Sequence, residues 1–295
     1  MIIFLALLAA LFFFVVVPGF FSQLLTHGSF NYPDPNNGKA PISYGMKSRW
    51  AEFRSSDGIT LKGWYIPAPG PARGTIIYCH GLNRSKVEML PRAQFGHQLG
   101  YNGLLFDVRH HGQSGGEVTS LGYHERLDVL GAVRYALEVE KAERPIILWG
   151  VSMGAVASLL AAADSPDVAA VISDSAFLSL ADTVRHHWRL FIHLPSFPIA
   201  EEVIYATGWR GNFPPGALDS ETAIDRIGLR PILFVAVEGD RRMPPDNAQK
   251  LYARAKSPSK QLIILPGKRH GEGFNQSREA YEKAVQDFLT HVEPR

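Results

Sequence analysis

The chain of 295 residues has a single cysteine, Cys79, so no internal disulfide can form. That thiol closes the apolar run "TIIYC" (75–79) and is read as a small core residue. No charged side chain precedes Asp34. Nor is there any block of one sign beyond it: 30 Lys and Arg face 28 Asp and Glu, scattered, for a net charge of +2. That balance gives no electrostatic footprint for nucleic acid. H-E-x-x-H, paired cysteines and G-x-x-x-x-G-K-[ST] are all missing, which removes the zinc-protease, zinc-finger and P-loop patterns. No G-x-G-x-x-G opens a helix after a strand, and no set of metal ligands stands out. The adjacent histidines of "RHHW" are read as helix-surface residues.

What replaces charge at the start is "MIIFLALLAALFFFVVVPGFF" (1–21). An apolar run of about 16–20 residues reaches the length needed to cross a bilayer. No Lys or Arg precedes it and no small-x-small site follows, so an uncleaved single-pass anchor is favoured over a cleaved signal peptide. The run has no polar face, which argues against a helix buried in a soluble core. Only Lys39 lies close behind it, too little basic charge to orient the segment. Residues 22–48 are rich in Asn, Pro and Gly and are expected to be a linker. The folded domain is expected over 49–295.

Two alternating runs around Asp57-Gly58 predict a β-hairpin. Short apolar strands follow at 75–79, 103–107, 146–150, 168–173, 232–237 and 261–265. Helical stretches are expected at 85–99, 121–140, 153–164, 246–256 and 276–291. Continuous apolar strands alternating with helices imply a mostly parallel sheet covered on both faces. The segment 178–226 is too long for an ordinary connection and is rich in aromatics. It is either a cap over the strand ends or a peripheral helical pair.

At 150–154 the strand "IILWG" runs into Gly-Val-Ser-Met-Gly, the G-x-S-x-G pattern in its strand-then-helix setting. The glycines permit a sharp turn that lifts the Ser152 hydroxyl out of the sheet edge. A serine hydroxyl is a weak nucleophile and needs a base beside it and donors for an oxyanion. Of 11 histidines, His270 lies in a Gly-flanked loop directly after the last strand. Asp240 follows the preceding strand in "EGDRRMPP" and can orient that imidazole. Asp174 and Glu238 remain open as rivals for the acid, whereas Asp107 suits a loop-bracing role. The backbone N–H of Met153 and that of Leu82, in the turn after strand 75–79, are the candidate oxyanion donors. His80 is read as bracing that turn.

These segments, with "HGLNRS" and "FDVRHHGQSGG", resemble the α/β-hydrolase superfamily over roughly 50–292. The likeness is to its serine aminopeptidase-like and lysophospholipase-like branch. In that branch the run Asp107, Arg109, His111, Gly112, Ser114 braces the loop beside the active site. The resemblance implies an α/β-hydrolase fold of about eight strands, a triad of Ser152, Asp240 and His270, and no cofactor. Two departures are Ala155, where many relatives carry glycine, and Arg241-Arg242 beside the acid.

The expected function is a membrane-anchored serine hydrolase of esters, thioesters or amides, esterase- or lipase-like on a small-molecule or lipid-like acyl substrate. Peptidase or acyltransferase chemistry uses the same triad, and a non-catalytic binding scaffold at the membrane is the reading from another class. The sequence carries no signal for an oligomeric state or for the side of the membrane that the domain faces.

Overall fold

The computed structural model describes residues 1–28 and 33–292. Residues 29–32, inside the expected linker, and 293–295, at the expected domain end, lie outside the described residues. The central sheet has eight strands in the order β1-β2-β4-β3-β5-β6-β7-β8. β1 (Arg49–Arg54) and β2 (Thr60–Ile66) pair antiparallel, Arg54 opposite Thr60, around the Asp57-Gly58 turn. Gly58 has φ 93°, a left-handed conformation that glycine adopts without strain. β2 pairs antiparallel with β4 (Asn102–Asp107). From β4 onward every pairing is parallel: β3 (Thr75–Cys79), β5 (Ile146–Val151), β6 (Val168–Asp174), β7 (Ile232–Val237) and β8 (Gln261–Leu265).

Strands β3 to β7 are buried at every residue. Their side chains alternate between two cores. Ile77, Cys79, Leu148 and Phe234 point into one, and Ile76, Tyr78, Trp149 and Leu233 into the other. Burial pushes the Cys79 thiol up to about 12, which makes it an inert core group.

The helices in chain order are α1 (Ile2–Leu11), α2 (Val17–His27), α3 (Leu90–Gln98), α4 (Glu125–Glu138), α5 (Met153–Asp164), α6 (Leu180–His187), α7 (Ile199–Gly211), α8 (Ser220–Ile227), α9 (Pro245–Arg254), α10 (Gly273–Gln276) and α11 (Arg278–Leu289). α3 and α11 cover one face of the sheet, and α4, α5, α8 and α9 the other. Since the six strands from β3 to β8 run parallel, the residues after their carboxyl ends gather along one edge. That edge is where open α/β sheets place their ligands.

The segment 178–226 divides between the two expectations. Ser179 and Asp219 pair as an isolated antiparallel bridge that closes its base. Each also caps a helix: Ser179 Oγ accepts the Asp182 amide at 3.1 Å, and Asp219 Oδ1 accepts the Glu221 amide at 2.9 Å. Between them, α6, the π-helical turn Trp188–Ile192 and α7 form a cap. α8 lies beyond the bridge and packs on α5 and α9 as an ordinary sheet-covering helix.

The N-terminal segment differs from the expected 1–21 anchor and 22–48 linker. One helical run extends from Ile2 to His27, with π-helical geometry over Phe12–Val16. Pro18 lacks the N–H that the preceding turn would use, and the wider turn before it absorbs that loss. The Ser22 and Thr26 hydroxyls bond the Gly19 and Ser22 carbonyls at 3.0 and 2.8 Å, so neither is left unpaired within the helix. Pro18, Ser22 and Thr26, spaced four apart, are buried against α7, which offers Thr207, Gly208 and Gly211 in return. Small residues on both helices allow the close approach.

Candidate active site

Ser152 sits between β5 and α5 with φ 54° and ψ −118°, a conformation rare for any residue with a side chain. Its amide donates to the Asp174 carbonyl at 2.8 Å, which ties the turn to β6. A Cβ on Gly150 would run into the Gly154 backbone, and one on Gly154 into the carbonyls of Cys79 and His80. The two glycines therefore let strand, turn, helix and the end of β3 come together, and Ser152 is left half-buried at the edge.

His270 follows β8 and Asp240 follows β7. The His270 Nδ1–H donates to Asp240 Oδ2 at 2.6 Å. Asp240 is 2% exposed, and its other oxygen accepts the Arg242 and Met243 amides, each at 2.9 Å. Burial works to raise this carboxyl. The His270 hydrogen bond and charge, with the two amides, outweigh it and hold the group below the ordinary carboxylate range. Ser152 and His270 line one cavity of about 390 Å³, together with Leu82, Arg242, Glu272 and Asn275.

The rival acids are placed elsewhere. Asp174 is fully buried and bound to Arg92 at 3.0 Å, the Tyr281 hydroxyl at 2.8 Å and the Ser175 hydroxyl at 2.9 Å. Glu238 is exposed. Asp107 Oδ1 accepts the Lys86 amide at 2.8 Å, and its Oδ2 accepts the Gln113 amide at 2.9 Å and the Lys86 ammonium at 2.5 Å.

The loop after β3 is pinned on both sides of Leu82. The Gly81 amide donates to Glu88 Oε2 at 2.7 Å, and the Asn83 amide to His111 Nε2 at 3.1 Å. Among the described residues, neither the Leu82 nor the Met153 amide has a protein acceptor. His80 donates from Nδ1 to the Gly81 carbonyl at 2.8 Å and accepts the Val108 amide on Nε2 at 3.1 Å. Burial, then His111, lowers it to about 4, and both of its ring nitrogens are taken up in bracing the turn. Further back, Arg109 binds both Asp128 and Asp57 through paired hydrogen bonds. Its carbonyl receives the His111 Nδ1–H at 2.8 Å.

A second cavity, of about 240 Å³, meets the first at Ser152 and shares Leu82 and Arg242 with it. It is apolar, walled by Phe177, Val184 and Phe191 of the cap side and by Phe21, Leu24 and Leu25 of α2. Sequence reasoning missed that α2 wall, because the apolar signal there blends with polar Ser22, Gln23 and Thr26. It also missed what the "RHHW" histidines hold. His186 and His187 donate from Nε2 to the carbonyls of Arg241 and Arg242, at 2.7 and 3.0 Å, and latch the cap to the loop that carries Asp240. Among the described residues, no group of three or more His, Cys, Asp or Glu could hold a metal ion.

A family model described as serine aminopeptidase, S33, matches residues 70–202, a stretch that includes Ser152 and ends before Asp240. An uncharacterised Bacillus subtilis protein, YqkD, is 33% identical over 243 residues, covering 81% of this chain and 78% of its own length. The polyketide transferase ATR5 of Stachybotrys chlorohalonatus is 37% identical over 293 residues, covering 80% of this chain and 97% of its own. The Pyrococcus furiosus esterase Pf2001 superposes with a TM-score of 0.73 at 23% identity, over 89% of this chain and 99% of that one, and shares the fold. Sheet order, the turn at Ser152 and the relatives together show that the chain belongs to the α/β-hydrolase superfamily, in its serine aminopeptidase-like branch.

Proposed function

We propose that this chain is a serine hydrolase held at a membrane by its N-terminal helix and acting on acyl esters or related thioesters and amides. The observation that carries it is the pairing of Asp240 with His270 at 2.6 Å beside the cavity that exposes Ser152. The ring nitrogen of His270 not held by Asp240 takes the Ser152 proton as Oγ bonds the substrate carbonyl carbon. The carbonyl oxygen becomes an alkoxide and accepts hydrogen bonds from the Leu82 and Met153 amides. His270 then gives its proton to the leaving group as that bond breaks, and the acyl group stays on Ser152. Water repeats the sequence and releases the acid. Asp240 fixes the Nδ1–H tautomer and stabilises the imidazolium. The acyl chain lies in the apolar cavity and the leaving group in the polar one.

A fluorophosphonate probe tests the chemistry. It should label the wild type and fail on Ser152→Ala and His270→Ala; an unlabelled wild type overturns the reading. The anchor is tested by sequencing the N-terminus of the mature protein and by alkaline carbonate extraction of membranes. A retained Met1–Phe21 segment in the membrane pellet is expected, and a soluble protein lacking it would make the helix a signal sequence.

The relatives ATR5 and grgF are named polyketide transferases, which favours acyl transfer as a second reading. There an alcohol or amine replaces water in the second half of the cycle. Product analysis with and without added glycerol separates the two.

A further inference from the structure

The N-terminal helix is built into the domain rather than merely tethered to it. Arg210 of α7 donates to Ser22 Oγ and to Gln23 Oε1, each at 2.9 Å, and the Thr119 amide donates to the Thr26 carbonyl at 2.9 Å. The Phe21 ring meets the indole of Trp188 edge-on, centroids 5.6 Å apart. Phe21, Leu24 and Leu25 then form one wall of the apolar cavity whose other end is Ser152.

Length fixes where the bilayer must lie. At 1.5 Å per residue, about 20 helical residues cross a hydrocarbon core of about 30 Å. Phe12–Val16 holds no buried residue but already lies beside α7, and the roughly 15 residues before Val17 span only about 22 Å. A helix that crosses from Ile2 must stay in hydrocarbon to about Phe21, which brings the cap down onto the membrane surface. The exposed side chains of α2 and the cap suit it. Trp209 is 80% exposed and Phe197 77%, with Phe20, Tyr205, Leu194 and Phe191 also exposed. Trp and Tyr favour the membrane interface. Phe191 belongs to both features, since it lines the cavity and stands exposed.

We propose that α2 is the specificity-determining wall of the acyl pocket, and that the substrate is a membrane-resident acyl ester. Its chain enters from the bilayer between α2 and Phe191 and runs along Phe21, Leu24 and Leu25 to Ser152. This rests on the serine hydrolase reading above.

The test uses the full-length protein in liposomes, with p-nitrophenyl butyrate and p-nitrophenyl laurate as substrates. Leu24→Trp, which fills the cavity, should lower the laurate-to-butyrate ratio of kcat/KM by about tenfold, the cost of leaving about two methylenes unburied. Phe12→Trp, on the helix but far from the cavity, should leave the ratio unchanged. Phe21→Ala removes bulk instead and should also shift the ratio, which covers the case in which Leu24→Trp does not accumulate. In the same liposomes, brominated lipid should quench wild-type fluorescence more than that of Trp209→Phe. An unchanged ratio in both cavity variants, or Trp209 quenched by aqueous iodide but not by brominated lipid, overturns the proposal. If the fluorophosphonate still labels the wild type, the failure is of this inference alone; if it does not, the hydrolase reading itself has failed.

Discussion

Arg92 of α3 and Asp174 at the end of β6 form an ion pair, 3.0 Å between Nη2 and Oδ2, with both side chains almost wholly buried. Tyr281 bonds the same carboxylate oxygen and receives the Trp149 indole N–H at 3.2 Å. Asp174 is therefore committed to structure and Asp240 to His270. Asp240→Asn should lower kcat about 10⁴-fold with the fold intact, since the amide stabilises the wrong tautomer. Asp174→Asn should cost roughly 3–5 kcal/mol of stability, because it leaves the Arg92 charge buried and unpaired. Kinetics and urea unfolding on both variants check this, and the reverse pattern would move the acid to β6.

Ser152 holds a backbone conformation that glycine adopts freely and alanine does not. Such strain is of order 1–3 kcal/mol. Ser152→Gly should therefore be inactive yet more stable than Ser152→Ala by about 1 kcal/mol. Equal unfolding midpoints for the two would show that the turn carries no strain.

Gly154 packs against the end of β3, and an added methyl meets the Cys79 and His80 carbonyls. These are backbone atoms and cannot swing aside. Gly154→Ala should destabilise by at least about 1–3 kcal/mol and depress labelling of Ser152 in whatever folds. Thermal melting beside the probe assay reads both effects.

His80 is held near 4 by burial, against about 6.5 in an unfolded chain. Between those values the unfolded chain binds a proton that the folded chain does not. Stability is thus fully present above about 6.5 and falls as pH drops toward 4, by roughly 3 kcal/mol for the complete shift. His187, lowered to about 4 mainly by burial, acts in the same direction. Urea midpoints at about pH 7 and about pH 5 should differ accordingly, and a flat midpoint would show that these rings take up protons in the fold.

His111 reaches the active-site edge through one bond, from the Asn83 amide to its Nε2. His111→Ala releases that side of the Leu82 turn. It should lower kcat by about tenfold, part of what loss of an oxyanion donor costs, and leave KM close to wild type. His111→Gln, which can still accept a hydrogen bond, should recover part of the loss. A change confined to stability would reduce His111 to a packing residue.

The strands were legible because apolar, β-branched runs such as 75–79 and 232–237 are buried on both faces, and only a covered parallel sheet demands that. The turn at Ser152 was legible because its two glycines answer a steric need written into five residues. Asp240 was harder. Three carboxylates follow neighbouring strands, and Arg92 and Tyr281, both distant in sequence, are what occupy Asp174. The helical run past Phe21 was not legible, since Ser22 and Thr26 read as linker until α7 supplies Arg210 and small residues to receive them. Nor does length separate α8 from the cap, since it cannot show that the bridge between Ser179 and Asp219 closes the insertion before α8 begins.

Ser152 lies where a polar and an apolar cavity meet. On the proposed reaction, each turnover would sort its products by phase. The fatty fragment would return to lipid past Phe191, while the polar fragment would leave to water past Arg242. Neither would obstruct the other's exit, and recombination would need both to arrive again from opposite sides. A boundary set in the walls of the site would then deliver the two products of one bond to two different phases.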